Sequence, residues 1–154
     1  MIPASIESHL KNHHLSYQHH VHARAVPAQR LAAAEGVSGY QVAKTIVLNI
    51  DGELAIAVIA AAQRLDRDAL EMALGTSDIQ TAPEETFVDR FQPCEPGAEP
   101  PLCLFGLPIY VDATLAKEPS LMMRGGTHTD ALQVITDAWI RAEQAVPIEG
   151  LGTP

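Results

Sequence analysis

The stretch "VAKTIVLNIDGELAIAVIAA" from Val42 to Ala61 decides the fold, because it reads as two strands joined by a tight turn. Val42–Ile50 and Glu53–Ala61 are rich in β-branched and apolar residues, and Asp51-Gly52 between them is a strong hairpin signal. Lys44 stands inside the first strand, where a buried ammonium without an anionic partner is costly or loses its proton. Its side chain therefore either extends along its stem to the surface or faces a cleft that receives an anion.

Short helices and further strands flank this hairpin. Apolar spacing and terminal signals predict helices at Ser5–His13, 26–36, 67–75 with Asp66 as N-cap, 82–91, and a last helix capped by Asp137. Alternating patterns predict strands in 15–22, 109–115, 121–124 and 131–136. A loop rich in proline and glycine runs from Pro93 to Pro108. The pattern predicts an α/β fold with a mixed, largely antiparallel sheet and short flanking helices, as one domain over residues 1–154.

Composition excludes several classes of protein. With 47% hydrophobic and 19% charged residues, the 154-residue chain is typical of a globular domain. The net charge of −9 argues against a protein that holds long nucleic acid by its backbone, but it permits a pocket for one end of a nucleic acid. The longest apolar stretch, 54–62, is too short for a membrane span, and the N-terminus does not read as a signal peptide. We therefore expect a cytoplasmic protein with no membrane partner.

The histidines and cysteines are the first candidates for metal binding or nucleophilic catalysis. Six of the seven histidines lie between His9 and His22, but no H-E-x-x-H motif and no closely spaced cysteine pair complete a zinc site. We predict a solvated histidine-rich segment and no metal. A G-x-S-x-G motif is also absent. A catalytic pair such as Cys103 with His128 stays open at this stage.

Two glycine-containing loops have residues suited to binding. "GAEPP" at Gly97–Pro101 combines a flexible glycine with two stiffening prolines, and it is expected to leave backbone N–H groups free on one side. "GGTHTD" at Gly125–Asp130 places polar side chains after two glycines. Each loop is either a surface connection or one wall of a ligand site.

The order of these motifs resembles the YbaK/EbsC family of aminoacyl-tRNA deacylases, which is related to the editing insertion domain of bacterial prolyl-tRNA synthetases. The resemblance covers about Ile6 to Val146 and rests on "VAKTIVL…DG", "RLD" before a helix, "GAEPP…FGLPIYVD" and "GGTHTD". It implies an α/β fold with a cleft for the aminoacylated 3′ end of a tRNA. It implies no cofactor and no metal.

The resemblance also implies roles for individual residues. Lys44 would lie at the cleft and be needed for activity, and Gly97 and Pro101 would line the pocket for the aminoacyl group. His22 matches a family histidine that proline often follows, whereas Ala23-Arg24 follow here. The implied substrate-binding set is His22, Thr45, Gly97, Pro101, Gly106, Gly126 and His128.

The resemblance implies a free-standing deacylase that hydrolyses the ester of a mischarged tRNA, with an aminoacyl-tRNA synthetase as a further candidate partner. A separate editing pocket is useful because a synthetase's own pocket gains only about 1–3 kcal/mol of discrimination from a difference of one methylene group between two amino acids. The main alternative is a non-catalytic module that binds an aminoacyl or nucleotide end and docks on a synthetase. A histidine-rich metal hydrolase is a third hypothesis.

Overall fold

The structure, a computed structural model, describes residues 1–154. Its four α-helices are α1 (Ala4–Asn12), α2 (Ala28–Glu35), α3 (Arg67–Leu74) and α4 (Thr136–Glu143). Its ten strands are β1 (Tyr17–Val21), β2 (Ala43–Ile50), β3 (Glu53–Ala60), β4 (Arg64–Leu65), β5 (Ile79–Thr81), β6 (Ile109–Asp112), β7 (Ser120–Arg124), β8 (Asp130–Ile135), β9 (Val146–Ile148) and β10 (Gly152–Thr153). Four short 3₁₀ turns lie at Glu84–Thr86, Val88–Phe91, Cys103–Phe105 and Leu115–Lys117.

The predicted hairpin forms the middle of a five-stranded sheet with the order β5-β2-β3-β6-β9. β2 pairs antiparallel with β3 from Ala43↔Ala60 to Ile50↔Glu53, whereas β6 pairs parallel with β3 and with β9. Asp51 and Gly52 both have positive φ, as a tight two-residue hairpin turn requires. The sheet is therefore mixed, and its antiparallel half carries the stretch that contains Lys44.

A second, antiparallel sheet of three strands has the order β1-β8-β7. It joins the first sheet where Val42, just before β2, makes a parallel bridge to Met122 of β7. Helix α2 covers this junction with Leu31 and Ala32, which pack in one buried cluster with Val42 and Met122. The junction thus places the start of β2 beside the end of β7.

Two apolar cores lie on opposite faces of the five-stranded sheet, because side chains alternate along each strand. Ala43 and Val47 of β2 contribute to the larger core, which also holds Leu102, Phe105 and Trp139. Leu48 of β2 contributes to a smaller core under α3, together with Leu70 of that helix. Lys44 is four residues from Leu48, so its side chain lies on the same face of the sheet, toward α3. Thr45 alternates with Ala43 and Val47, so its side chain lies on the face of the larger core.

The predicted fold class is confirmed: the structure is a mixed α/β fold with a largely antiparallel sheet and four short helices. Asp66 caps α3 by accepting hydrogen bonds from the N–H groups of Asp68 and Ala69, and Gly36 and Gly75 end their helices in the left-handed conformation. None of these helices is long and apolar enough to cross a membrane.

Two local predictions are wrong. Residues 82–91 form two 3₁₀ turns rather than one α-helix, which is consistent with the low helix propensity of Thr86, Phe87 and Val88. Asp137 does not cap α4, because the helix begins at Thr136 and has no side-chain cap. Asp137 instead lies in the first turn, where its negative charge favours the helix dipole.

Candidate functional site

A small cavity lies where β2, the start of α2, the 97–101 loop and the end of β7 meet. Its volume is about 90 Å³. Seven residues line it: Ala28, Ala43, Lys44, Thr45, Gly97, Glu99 and Arg124. Three consecutive residues of β2 can contact one cavity only if the cavity runs along the edge of the strand, since their side chains point to alternating faces.

The edge of β2 is unpaired at the cavity. On this side β5 pairs only with Leu48–Ile50, and the N–H of Ala82 reaches the carbonyl of Val47. At the other end, the bridge between Val42 and Met122 ties the strand to β7. No strand pairs with Thr45 between these two points, and alternation directs its backbone N–H and C=O to this edge. The hydroxyl and the outward backbone groups of Thr45 are therefore available to a ligand.

Lys44 is a half-buried cation with one neutral partner. Its Nζ donates a hydrogen bond to the carbonyl of Gln63 at 2.9 Å, and no carboxylate forms an ion pair with it. Burial lowers the pKa of its ammonium. Because a lysine ammonium carries three N–H donors, two of them remain for a ligand.

Arg124 is a second cation of the cavity wall, but it is almost fully buried and two of its donors bind carbonyls. It is 5% exposed, and its two terminal nitrogens donate to the carbonyls of Ala25 and Val26. Burial lowers its pKa, and the nearby charge of Glu99 acts in the opposite direction. Arg124 thus holds the segment that leads into α2 and shapes the wall near Ala28.

Glu99 is the acidic residue of the cavity. Its Oε1 accepts a hydrogen bond from the N–H of Gly97 at 3.1 Å. Burial raises the pKa of this carboxyl group, and its effect outweighs the hydrogen bonds from the backbone N–H groups of Glu99 and Gly97, which lower the pKa. A cationic group of a ligand would compensate this desolvation.

His128 supports the loop wall from behind the cavity. It is 2% exposed, its Nε2–H donates to the carbonyl of Pro96 at 2.8 Å, and its backbone N–H donates to Oε1 of Glu95 at 2.9 Å. A Cβ added to Gly97, whose φ is +85°, would lie 3.3 Å from Cε1 of His128. The histidine therefore fixes the position of Gly97 and does not line the cavity.

The expectation of free backbone N–H groups in the 97–101 loop is wrong for its first two residues. The N–H of Gly97 donates to Glu99, and that of Ala98 donates to the carbonyl of Glu95. Local turn bonds satisfy these groups because a buried, unpaired N–H is costly. The unpaired backbone at the cavity belongs to Thr45 instead.

The remaining predicted residues lie around the cavity or away from it. Pro101 is buried, and its carbonyl accepts a hydrogen bond from Nε1 of Trp139 at 2.9 Å, which ties the loop to α4. Gly126 donates its N–H to the carbonyl of Ala98 and packs against α1, where a Cβ would lie 2.8 Å from Ile6. Both residues therefore anchor the loop.

His22 and Gly106 are not brought to the cavity. His22 follows β1, with its Nδ1–H donating to the carbonyl of Ala23 and its Nε2 buried without a partner. Gly106 has a φ of +74° and ends the 3₁₀ turn Cys103–Phe105, near Arg90. Of the predicted set, the structure brings Lys44, Thr45 and Gly97 together.

Sequence reasoning missed Glu99 and Arg124. Arg124 ends the apolar strand "SLMMR" and is therefore, like Lys44, a cation within an apolar strand, which is the sequence signal that could have identified it. Glu99 stands inside "GAEPP", where the glycine and the prolines predict a binding loop but nothing in the sequence assigns a role to the carboxylate.

Neither thiol is at the cavity. Cys94 is buried, and burial raises its pKa to about 12. Cys103 lies next to His9, His13 and Glu143, so the open pairing with His128 is not formed. The cavity therefore offers hydrogen-bond donors and charge without a cysteine nucleophile.

The chain belongs to the aminoacyl-tRNA editing domain family, whose model matches residues 22–142. The predicted resemblance to the YbaK family is confirmed. Membership of this family supports a role in aminoacyl-tRNA editing. A comparison with curated proteins found no match.

Solved structures share the fold. A protein named only as hypothetical has a TM-score of 0.83 at 21% identity, over 97% of this chain and 99% of that one. A "putative trans-editing enzyme for prolyl tRNA synthetase" has a TM-score of 0.79 at 21% identity, over 97% and 98% of the two chains. A "putative signal transduction protein" from Marinobacter aquaeolei has a TM-score of 0.77 at 16% identity. The match covers 100% of this chain and only 31% of that longer chain.

Proposed function

We propose that the protein is a trans-acting aminoacyl-tRNA deacylase, which hydrolyses the ester between a wrong amino acid and its tRNA. The observation that carries the proposal is the half-buried ammonium of Lys44, which lines the cavity with a single neutral acceptor. The terminal phosphate of an acylated tRNA is the type of anion that such a cation binds. Family membership supports the same assignment.

The charges of the cavity match the charges of an aminoacyl ester. Lys44 binds the phosphate of the last nucleotide, and Glu99 accepts the α-ammonium group of the amino acid. Thr45 lies next to Lys44 along the unpaired edge and presents its backbone N–H and hydroxyl to the ester. Donors placed where negative charge develops in the transition state lower the barrier to acyl transfer.

The attacking oxygen comes from a water molecule, which the free hydroxyl of the terminal ribose assists by hydrogen bonding. The water oxygen adds to the ester carbonyl, and the C–O bond to the ribose then breaks. The ribose oxygen takes the proton, and the products are the free amino acid and intact tRNA. This route needs no thiol, which agrees with the positions of Cys94 and Cys103 away from the cavity.

The small cavity favours small amino acids, and we propose alanyl, cysteinyl, seryl and prolyl esters as the first substrates to test. The fold-level match to a protein named as a trans-editing enzyme supports action on tRNA released by a synthetase, either free or docked on that synthetase. We place the protein in the cytoplasm, where tRNAs are charged.

A deacylation assay on a panel of mischarged tRNAs tests the proposal. We expect the wild type to release one or more of the four amino acids, and Lys44→Ala to lose that activity. Lys11→Ala is the matched control, because Lys11 is an exposed lysine of α1 that does not line the cavity. A wild-type protein that leaves all four esters intact would overturn the proposal.

A non-catalytic binding module is the second candidate. The observation that favours it is the similar fold within a longer chain named as a signal transduction protein. In that case Lys44→Ala weakens binding of an acylated RNA end, while wild-type protein shows no turnover. The same assay, run beside a binding titration, separates the two functions.

A further inference from the structure

We infer that His9, His13, Cys103 and Glu143 form a zinc-binding site that joins the N-terminal helix to the loop carrying the cavity wall. One ligand atom from each of the four residues lies within 4.8 Å of all the others. Two imidazoles, a thiol and a carboxylate are the donor types that Zn²⁺ prefers. The site is separate from the cavity lined by Lys44 and Glu99.

The positions of the four residues follow from three elements of the fold. His9 and His13 are spaced by four, so helical geometry places both on one side of α1 and its C-cap. Their rings lie 4.1 Å apart between centroids. Glu143 is the last residue of α4, and Cys103 begins the 3₁₀ turn after the 97–101 loop. Ligands thus come from segments far apart in the sequence.

A second observation, independent of the spacing of the four residues, also indicates that a cation binds here: Glu143 has a buried oxygen atom without a partner. The residue is 2% exposed, and its Oε1 accepts hydrogen bonds from Nε2 of His9 at 2.6 Å and from the N–H of Cys103 at 2.8 Å. Its Oε2 is buried without any hydrogen-bond partner. A buried carboxylate oxygen normally has a partner, and a cation would provide one here.

The spacing is close to what tetrahedral zinc requires. Zinc–ligand bonds of 2.0–2.3 Å place tetrahedral donors about 3.3–3.8 Å apart. The four ligand atoms lie within 4.8 Å of one another, so shifts of about 1 Å bring them to tetrahedral spacing. The exposed side chain of His13 can make such a shift by rotation. Exposure of His13 also gives the ion a route from solvent.

Binding requires Cys103 to ligate as a thiolate. Burial and then the charge of Glu143 raise the pKa of this thiol. Zinc reverses that preference, and the thiol proton passes to solvent as the Zn–S bond forms. His9 ligates through a ring nitrogen that carries no proton, and any proton displaced from that nitrogen also passes to solvent. The thiolate and Glu143 balance the charge of Zn²⁺, so no buried charge is left unpaired.

Zinc binding by tag-free, chelator-treated full-length protein tests the inference. After Zn²⁺ is added back and the excess is removed by gel filtration, we expect about one equivalent of Zn²⁺ per chain by elemental analysis. Competition with a chromogenic chelator should give an affinity that His13→Ala and Cys103→Ser each reduce at least about tenfold, as loss of one ligand predicts. His14→Asn is the matched control, because His14 is an exposed neighbour outside the set, and asparagine tolerates its φ of +54°.

Two further readouts keep the result interpretable. Co²⁺ should give a thiolate charge-transfer band that Cys103→Ser abolishes and His14→Asn retains. Zn²⁺ should raise the melting temperature of the wild type but not that of His13→Ala, whose substitution at an exposed position leaves the core intact. Absence of stoichiometric zinc from the wild type, or equal binding by all variants, would overturn the inference.

Discussion

Replacing Gly97 by alanine tests how closely the loop wall must be placed for catalysis. Gly97 has a φ of +85° and lines the cavity with its backbone. The new Cβ would lie 3.3 Å from Cε1 and 3.7 Å from Nε2 of His128. His128 cannot easily move, because it is buried and its Nε2–H is bonded to the carbonyl of Pro96. The loop must therefore shift toward the cavity by a few tenths of an ångström.

Two effects set the magnitude for Gly97→Ala. The left-handed backbone conformation costs an L-residue about 1–2 kcal/mol. For a chain of this size, each kcal/mol lowers the melting temperature by about 2–4 °C. Displacement of the wall acts on catalysis separately, since a misplacement of about 1 Å can cost 10²-fold. A smaller shift at Gly97 should reduce kcat/KM by about tenfold.

The assay compares Gly97→Ala with Gly75→Ala. Gly75 ends α3 with a φ of +71°, and a Cβ added there meets nothing within 4 Å. Both variants should lose similar stability in thermal denaturation, but only Gly97→Ala should lose deacylation rate. Full activity of Gly97→Ala, or an equal loss in Gly75→Ala, would refute the assigned position of the wall.

Three further predictions concern charge. Lys44→Met should abolish deacylation without lowering the melting temperature at pH 7, because burial lowers the pKa of Lys44 and its charge is a net cost to the fold; a lower melting temperature would contradict this. For Asp130, burial raises the pKa, but bonds from the N-terminal ammonium, Thr127 and His19 outweigh it and lower the pKa from 3.8 to about 2. Because that depressed pKa adds stability above pH 3.8, Asp130→Asn should cost about 2 kcal/mol in urea unfolding at pH 7, and the difference should shrink as the pH falls toward 2. With one phosphate held by Lys44, kcat/KM should fall about threefold between about 50 and 200 mM salt, and a much steeper fall would indicate further cationic contacts.

The fold was largely predictable because its main signals are local. The hairpin turn, the N-cap Asp66 and the stop at Gly75 are each written in a few adjacent residues. The strands β5 and β9 were missed since three residues are too few to show a period. The separation of the five-stranded sheet from the three-stranded sheet also depends on the packing of α2 at their junction, which no local pattern reports.

The candidate site was predictable only where one residue conflicts with its surroundings. Lys44 attracted attention as a cation in an apolar strand, and Arg124 shares that signal at the end of β7. Glu99 gave no such conflict, because a glutamate in a loop is ordinary. The cluster around Glu143 gave no sequence signal for another reason: its side chains belong to α1 and its C-cap, to α4 and to the 3₁₀ turn at Cys103, and only folding brings them together.

The arrangement of hydrogen bonds explains why one cation can select a ligand in an acidic protein. Arg124 is almost fully buried and donates to two carbonyls, so it shapes the wall and is less accessible to an anion than Lys44. Lys44 keeps two free donors, and the overall charge of −9 repels RNA everywhere except at such a point. Under the proposed function, long-range attraction therefore contributes little, and recognition depends on the end of the RNA. An acylated 3′ terminus would fit this requirement, because its phosphate and the α-ammonium of its amino acid lie on either side of the terminal ribose, as Lys44 of β2 and Glu99 of the 97–101 loop both line the cavity.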